Sequence, residues 1–567
     1  MVERMNPHRI SDCGELPMSY PEVGLDAVLA GAAASYGDRV GLADGTRELT
    51  FTDIHDRAIR VASGLRARGI GNGDHVAIAM PNNLWFPVVY LGTVLAGATA
   101  CTVNPVAPTQ AIEEQFEEVD PAGLFVHPLS GPEPLAARTP SIGLTVRVPG
   151  EPSVDDKEVE VAHSNEMISL AELMSDDPVP LPRCRPEWIA HLQFTGGTTG
   201  KSKAVRITHR NILANMIQLA ACRSGTVAGL DEHGRVRLRL HTGAQHRYSD
   251  LPGTGVALHI APNFHGAGLN GLLGNIFTGT TTVLMGRFEP EAYAEAITRH
   301  QVTKVGGVPS MFHSIVNLPR LHEHDFRSVL TISFGAAPTD TTTLQRIHDV
   351  FSNARVCEGY GLSEATCYLT MQPMHPDCPS PMGSVGVPLP DTGIDIRDPH
   401  TAEPLPEGRI GEIWAQGPQV TDGYHRAAEQ TEEQFVDGWL RTGDLGHIDA
   451  DGNLFIDGRA KDMLIYKGYN IYPVHLEEIL SAHPAVDECA VVGVESPGVG
   501  QLPVAFVIRA AGYAQDTGLA DELAGFVAAR VAPHQRIREV RFVTAFPMSP
   551  VGKILKRTLA SSAGPPA

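Results

Sequence analysis

Apolar positions fall at helical spacing across residues 51–70, FTDIHDRAIRVASGLRARGI, and Gly69 and Gly71 close the run. The next apolar block, HVAIAM at 75–80, is short and continuous, as in a strand buried on both faces. This pairing recurs. A helical segment near 290–300 precedes VTKVGGVP, and another near 340–351 precedes RVCEGYG. Strands alternating with helices predict an α/β fold: a large N-terminal domain of parallel-rich sheets with helices. No repeat of fixed period is present.

The most apolar stretch, WFPVVYLGTVLAGATACTV at 85–103, is about long enough to span a bilayer. Pro87, two glycines and three threonines interrupt it, which predicts a buried helix running into a strand. Residues 222–256 are polar and glycine-rich and read as a mobile excursion or a hairpin. The pattern changes near GRAK at 458–461. Ahead of it, LRTGDLGHIDADGNLFIDG reads as two strands around a D-G turn. Beyond it lie KGYNIYPVHLEEILSAHPAV, the strand CAVVGV, the segment PVAFVIRA and a helix near 519–531. A boundary at Lys461 divides the chain into 1–460 and a small α+β domain, 461–567.

Composition narrows the class. The chain has 567 residues, 43% hydrophobic and 19% charged, as in soluble globular proteins. A net charge of -21 leaves no basic surplus for nucleic acid or an anionic membrane. The cysteines form no C-x-x-C pair and the N-terminal residues lack the apolar core of a secretory signal. A cytoplasmic protein with reduced thiols is expected.

The densest chemical signal is FTGGTTGKSKAV at 194–205. Backbone N–H groups of such a loop converge on phosphate oxygens, and glycine permits the close approach. A plain flexible loop is the alternative. A P-loop does not fit: Thr195 stands where its first glycine belongs, and SKAVRITH reads as a strand, with Thr208 capping a helix beyond it.

The segment resembles the phosphate-binding signature of the adenylate-forming superfamily, which includes acyl-CoA synthetases, coumarate-CoA ligases and luciferases. Ser202 replaces the usual proline and Ala204 a glycine. Further resemblances follow in order: FGAAP (334–338), EGYGLSEA (358–365), GEIWAQGPQVTDGYH (411–425), WLRTGDLGHIDADGNLFIDGRAKD (439–462) and FPMSPVGKILKR (546–557).

The resemblance implies ATP-dependent activation of a carboxylic acid to an acyl-adenylate, then transfer to CoA, with Mg²⁺ as cofactor. It also implies the site. Thr195, Gly196, Gly197, Thr198, Thr199, Gly200 and Lys203 would hold phosphates. Gly335, Ala336, Ala337, Glu358, Gly359 and Tyr360 would border the adenine. Ser363 would donate to the α-phosphate, Glu364 and Thr198 would hold Mg²⁺, Asp444 would take the ribose, and Arg459 would reach ribose or phosphate. Lys553 would serve the first half-reaction, Lys461 would be the hinge, and Gly468 and Tyr469 would enter for the second. His265, Gly307, Gly335 and Gly361 would border the acyl pocket. For Tyr360 and His265 a core role is the alternative, and for Asp444 a turn.

Residues 260–275, 306–312, 334–339 and 360–370 would line that pocket, with the 222–256 excursion at its edge. Gly306, Gly307, Met311, Ala336 and Cys367 offer no fixed cation, so a monoacid with an apolar tail is expected. Other acceptors (a carrier-protein thiol or an amine) and an unusual acid such as nitrite remain as alternatives. A homodimer is compatible with the resemblance.

Overall fold

The computed structural model describes residues 16–562 apart from 129–137, 151–165, 176, 196–202, 242–248, 335–340, 375–377, 379–380, 468, 497–499, 511, 514–516 and 549–553. Helix Phe51–Ala67 forms where the spacing predicts it. Thr50 accepts from the Asp53 N–H and Asp53 answers with its carboxylate, a reciprocal cap. Ile54, Ala58, Val61 and Leu65 are fully buried along one stripe. That stripe meets helix Trp85–Leu95, the first part of the apolar stretch. A Cβ on Gly92 would lie 2.4 Å from Val61 Cγ1, so the glycine sets how closely the helices approach. The stretch then runs through a turn into strand Thr99–Thr102, also buried. Among the described residues no helix is long and apolar enough to cross a membrane.

Two sheets dominate the N-terminal part. A seven-stranded sheet ends with Thr99–Thr102, Ile189–Thr195 and Lys203–Thr208, and only its last pair is antiparallel. A nine-stranded sheet carries a parallel centre that includes Val256–His259, Lys304–Gly307, Thr331–Phe334 and Arg355–Tyr360. Helix His209–Ser224, capped by Thr208 as expected, packs beside helix Gly266–Thr278. Ile212, Met216, Leu269, Leu272 and Leu273 belong to the core shared by these layers.

Within 222–256, residues 226–240 form a hairpin. Thr226–Leu230 and Val236–Leu240 pair antiparallel. Asp231 closes the turn, accepting from the His233 and Arg235 N–H groups. Helix Leu25–Tyr36 anchors the hairpin so closely that a Cβ on Gly31 would lie 2.0 Å from the Val236 carbonyl oxygen.

An antiparallel sheet follows, containing Gly393–Arg397, Gly411–Gln416, Trp439–Ile448 and Leu454–Arg459. The last sheet uses only later strands: Leu464–Tyr466, Tyr469–Ile471, Val486–Ser496, Gly500–Arg509 and Glu539–Phe542. Residues 460–463 join the two. Helix Pro473–Ser481 returns from the second sheet to touch strand Leu454–Arg459.

Candidate functional site

Asp444 and Arg459 sit opposite each other in the ladder of strands Trp439–Ile448 and Leu454–Arg459. Arg459 Nε donates to Asp444 Oδ1 at 2.8 Å, and Tyr360 Oη donates to Asp444 Oδ2 at 2.8 Å. Asp444 is 6% exposed. Burial first, then the adjacent Asp444 charge, holds the Tyr360 phenol well above its ordinary pKa, so it remains a donor. Each Asp444 oxygen still has a lone pair to offer. Asp444 is therefore an oriented acceptor held between two donors, more than a turn residue. The Tyr360 ring is itself buried, its edge committed to Asp444.

Ser363 and Glu364 lie in a short 3₁₀ turn, Ser363–Ala365, just beyond the strand that ends at Tyr360. Thr366 closes the turn with φ at 64°, an unusual conformation for a β-branched residue. Its hydroxyl donates to the Gln419 carbonyl at 2.7 Å, which ties the strained residue down. Gly361 is required by close approach: a Cβ there would fall 1.6 Å from the Cys367 carbonyl oxygen.

Tyr424 joins this turn to the phosphate-loop strands. Its Oη donates to Glu364 Oε1 at 2.8 Å. The Lys203 ammonium stands 4.8 Å from the centre of the Tyr424 ring, a cation–π contact. Thr195 and Lys203 face each other in register on the paired strands. Desolvation, followed by the Glu364 charge, raises the Tyr424 phenol. The sequence reading quoted the segment holding Tyr424 but gave the residue no role. Burial alone raises the Glu358 carboxyl, and Gly359 adjoins it on the same strand.

His265 caps helix Gly266–Thr278, its Nδ1 accepting from the Ala267 N–H at 3.4 Å. A Cβ on Gly266 would lie 3.8 Å from Ser363 Oγ, so this helix begins beside the Ser363 turn. Gln193, also absent from the sequence reading, donates to the Phe264 carbonyl at 2.9 Å and keeps a buried Oε1 without a partner among the described residues. Gly307 ends the strand Lys304–Gly307, packed near Met311.

Gly196, Gly197, Thr198, Thr199, Gly200, Gly335, Ala336, Ala337, Gly468 and Lys553 lie outside the described residues. Tyr469 is described by its backbone, which pairs with Tyr466. Around Lys461, the Asp462 and Met463 N–H groups both donate to the Arg459 carbonyl at 3.0 Å. The nearby Asp457 carboxylate binds His447 Nδ1 and His475 Nε2, each at 2.7 Å.

Among the described residues no group of three His, Cys, Asp or Glu side chains is arranged to hold a metal. Mg²⁺ bridging phosphates does not need such a cage, since one or two carboxylates suffice. Glu364, half-buried and with one oxygen engaged, fits that role.

Helices His209–Ser224 and Gly266–Thr278 border a cavity of about 60 Å³. Arg223, Asp250 and Lys304 line it, together with Asn270, Gly274 and Tyr368. Of the 222–256 segment, Arg223, Ser224 and residues 249–251 border the cavity. Two cations line this cavity: Arg223, within the 222–256 segment, and Lys304, outside the stretches expected to line the acyl pocket.

Residues 29–425 match the model of the AMP-binding enzyme family, and 475–553 match that of the AMP-binding enzyme C-terminal domain. The chain is 32% identical to 4-coumarate--CoA ligase-like 9 of Oryza sativa subsp. japonica, across 96% of this chain and 92% of the relative. It is 30% identical to the long-chain-fatty-acid--CoA ligase of Bacillus subtilis (strain 168), across 96% and 95%. ATP-bound MatB from Rhodopseudomonas palustris superposes with a TM-score of 0.79 at 25% identity, covering 95% of this chain and 98% of the other. The O-succinylbenzoate CoA synthetase of Bacillus subtilis, with its acyl-adenylate intermediate, gives 0.73 at 25%, covering 94% and 97%.

Proposed function

This chain belongs to the AMP-binding enzyme family, and from that premise we propose how its residues divide the work of an AMP-forming acid–CoA ligase. The enzyme activates a carboxylic acid with ATP and passes the acyl group to CoA. In the first half-reaction a carboxylate oxygen attacks the α-phosphorus and pyrophosphate leaves. In the second the CoA thiolate attacks the acyl carbon and AMP leaves.

The Tyr360–Asp444–Arg459 arrangement is the observation that carries the reading. A nearly buried carboxylate held by two fixed donors offers its remaining lone pairs to vicinal hydroxyls, as the ribose of ATP presents. Glu364, held by Tyr424, would bind Mg²⁺, and Lys203 would face phosphate. Bound Mg²⁺ would neutralise phosphate charge as the acid approaches. Ser363 would donate to the α-phosphate beside the end of the helix that His265 caps. Lys553 would offset the repulsion between carboxylate and phosphate in the first step.

The link at 460–463, between two sheets that share no strand, supports a boundary at Lys461 between domains 1–460 and 461–567. Rotation there would withdraw Lys553 and bring Gly468 and Tyr469 to the site for thiol transfer. ATP and CoA are metabolites of the cytoplasm, which suits a cytoplasmic location. Mass spectrometry of products formed from ATP, CoA and a panel of acids tests the reading. Acyl-CoA formed by the native enzyme and lost with Asp444→Ala supports it, and acyl-CoA unaffected by that change contradicts it.

A further inference from the structure

We propose that the acid carries a second anionic group at its far end, and that Arg223 is the residue that recognises it. The inference rests on the ligase reading and deepens it. Helix Gly266–Thr278 starts beside Ser363, where the chemistry is assigned, and the cavity lies further along it. At 1.5 Å per residue, Asn270 and Gly274 stand about 8 and 14 Å along the axis from His265. Lys304 closes the other side, three residues before Gly307 on its strand. The cavity thus lies along the helix that begins beside Ser363, where an acyl tail extending from the reacting carboxylate would reach it.

Its charges are unevenly matched. The Lys304 ammonium has partners: Thr280 Oγ1 at 3.1 Å, Asn275 Oδ1 at 3.4 Å and Asp250 Oδ2 at 4.0 Å. Asp250 also accepts from Thr303 Oγ1 at 2.9 Å. Arg223 lines the same cavity without a hydrogen bond or ion pair to any described residue. Two cations therefore face one carboxylate, and the surplus charge sits on the guanidinium, a group shaped to bind a carboxylate through two parallel bonds.

A second feature of the wall disfavours a plain alkyl tail. Asn270 is oriented by its Nδ2 bond to Asn215 Oδ1 at 2.7 Å, and its Oδ1 is buried without a hydrogen-bond partner among the described residues. Hydrocarbon would leave both that oxygen and Arg223 unsatisfied, whereas a hydrated anionic terminus serves both. Burial lowers the Lys304 pKa to about 8, and a bound anion would raise it again, adding to the attraction.

The test uses the full chain and acids of graded length ending in a methyl, an amide or a carboxylate. The carboxylate-ended series is expected to give the highest kcat/KM for acyl-CoA formation. Arg223→Gln should raise KM for that series about tenfold or more and bring it level with the amide series. Gly274→Leu probes the space independently of charge. A Cβ at Gly274 meets nothing within 4 Å, so the side chain enters open space and should reject longer acids while sparing short ones. Preference for methyl-ended acids with indifference to Arg223→Gln overturns the proposal. Calorimetric binding of the same acids separates the two readings. Binding that depends on Arg223 without acyl-CoA formation would sink the ligase reading and keep this one.

Discussion

The Tyr360 hydroxyl donates to Asp444 Oδ2 at 2.8 Å, joining the end of a parallel strand to the middle of an antiparallel sheet. The nucleotide site is assigned to this junction, so the bond affects ATP more than the acid. Tyr360→Phe should weaken ATP binding about tenfold, the scale of one hydrogen bond to a charged group. Asp444→Asn should cost more, because it also removes the charge that holds Arg459. Calorimetry with a non-hydrolysable ATP analogue checks both. An unchanged affinity in Asp444→Asn would remove the ribose assignment.

Glu364 takes the Tyr424 hydroxyl, and Lys203 lies against the Tyr424 ring. Tyr424→Phe should therefore raise the Mg²⁺ concentration for half-maximal adenylation a few-fold, and Glu364→Gln should raise it about tenfold or more. Titration of pyrophosphate release against Mg²⁺ reads both. Identical curves for the native enzyme and Glu364→Gln would refute the metal role.

Acid should destabilise the fold through two buried histidines. Desolvation lowers His209 to about 4; it also lowers His191, aided by His209, to about 3. His209 Nδ1 accepts from the Leu25 N–H at 3.1 Å, a bond open only to the neutral ring. Both folded pKa values lie below the unfolded value near 6.5, so the unfolded chain binds protons first as pH falls. Stability from these groups is present above about pH 6.5 and declines from there towards pH 4. Each group contributes a slope of at most about 1.4 kcal/mol per pH unit. Urea unfolding at pH 7 and pH 5 measures the change, and equal midpoints would contradict it.

Lys553→Ala should abolish adenylation, by about 10²–10³-fold or more, while sparing CoA transfer from a supplied acyl-adenylate. Assaying the half-reactions separately tests this. An equal loss in both, with the fold intact, would contradict the assignment of two orientations about Lys461.

Much of this architecture was legible along the chain because it follows local periodicity. The 51–70 helix, the strand after it, the helix-to-strand reading of 85–103 and the Thr208 cap all depend on neighbouring residues. The signature residues Tyr360, Asp444 and Arg459 were legible as motifs, but their mutual bonding was not. Gln193 meets Phe264, and Thr366 meets Gln419, only after sheets and helices pack. The cavity that Arg223 and Lys304 line was not legible for the same reason. One ends a helix and the other begins a strand, and only the packing between them creates a cavity to line.

The most direct test of the central claim is ATP-dependent pyrophosphate release, with products identified by mass spectrometry, over fatty, aryl, amino and dicarboxylic acids, each with and without CoA. Nitrite with an aryl amine belongs in the panel. The account predicts turnover that requires CoA and ends in acyl-CoA and AMP. An adenylate formed at the same rate with or without CoA, or transfer only to an amine, would contradict it.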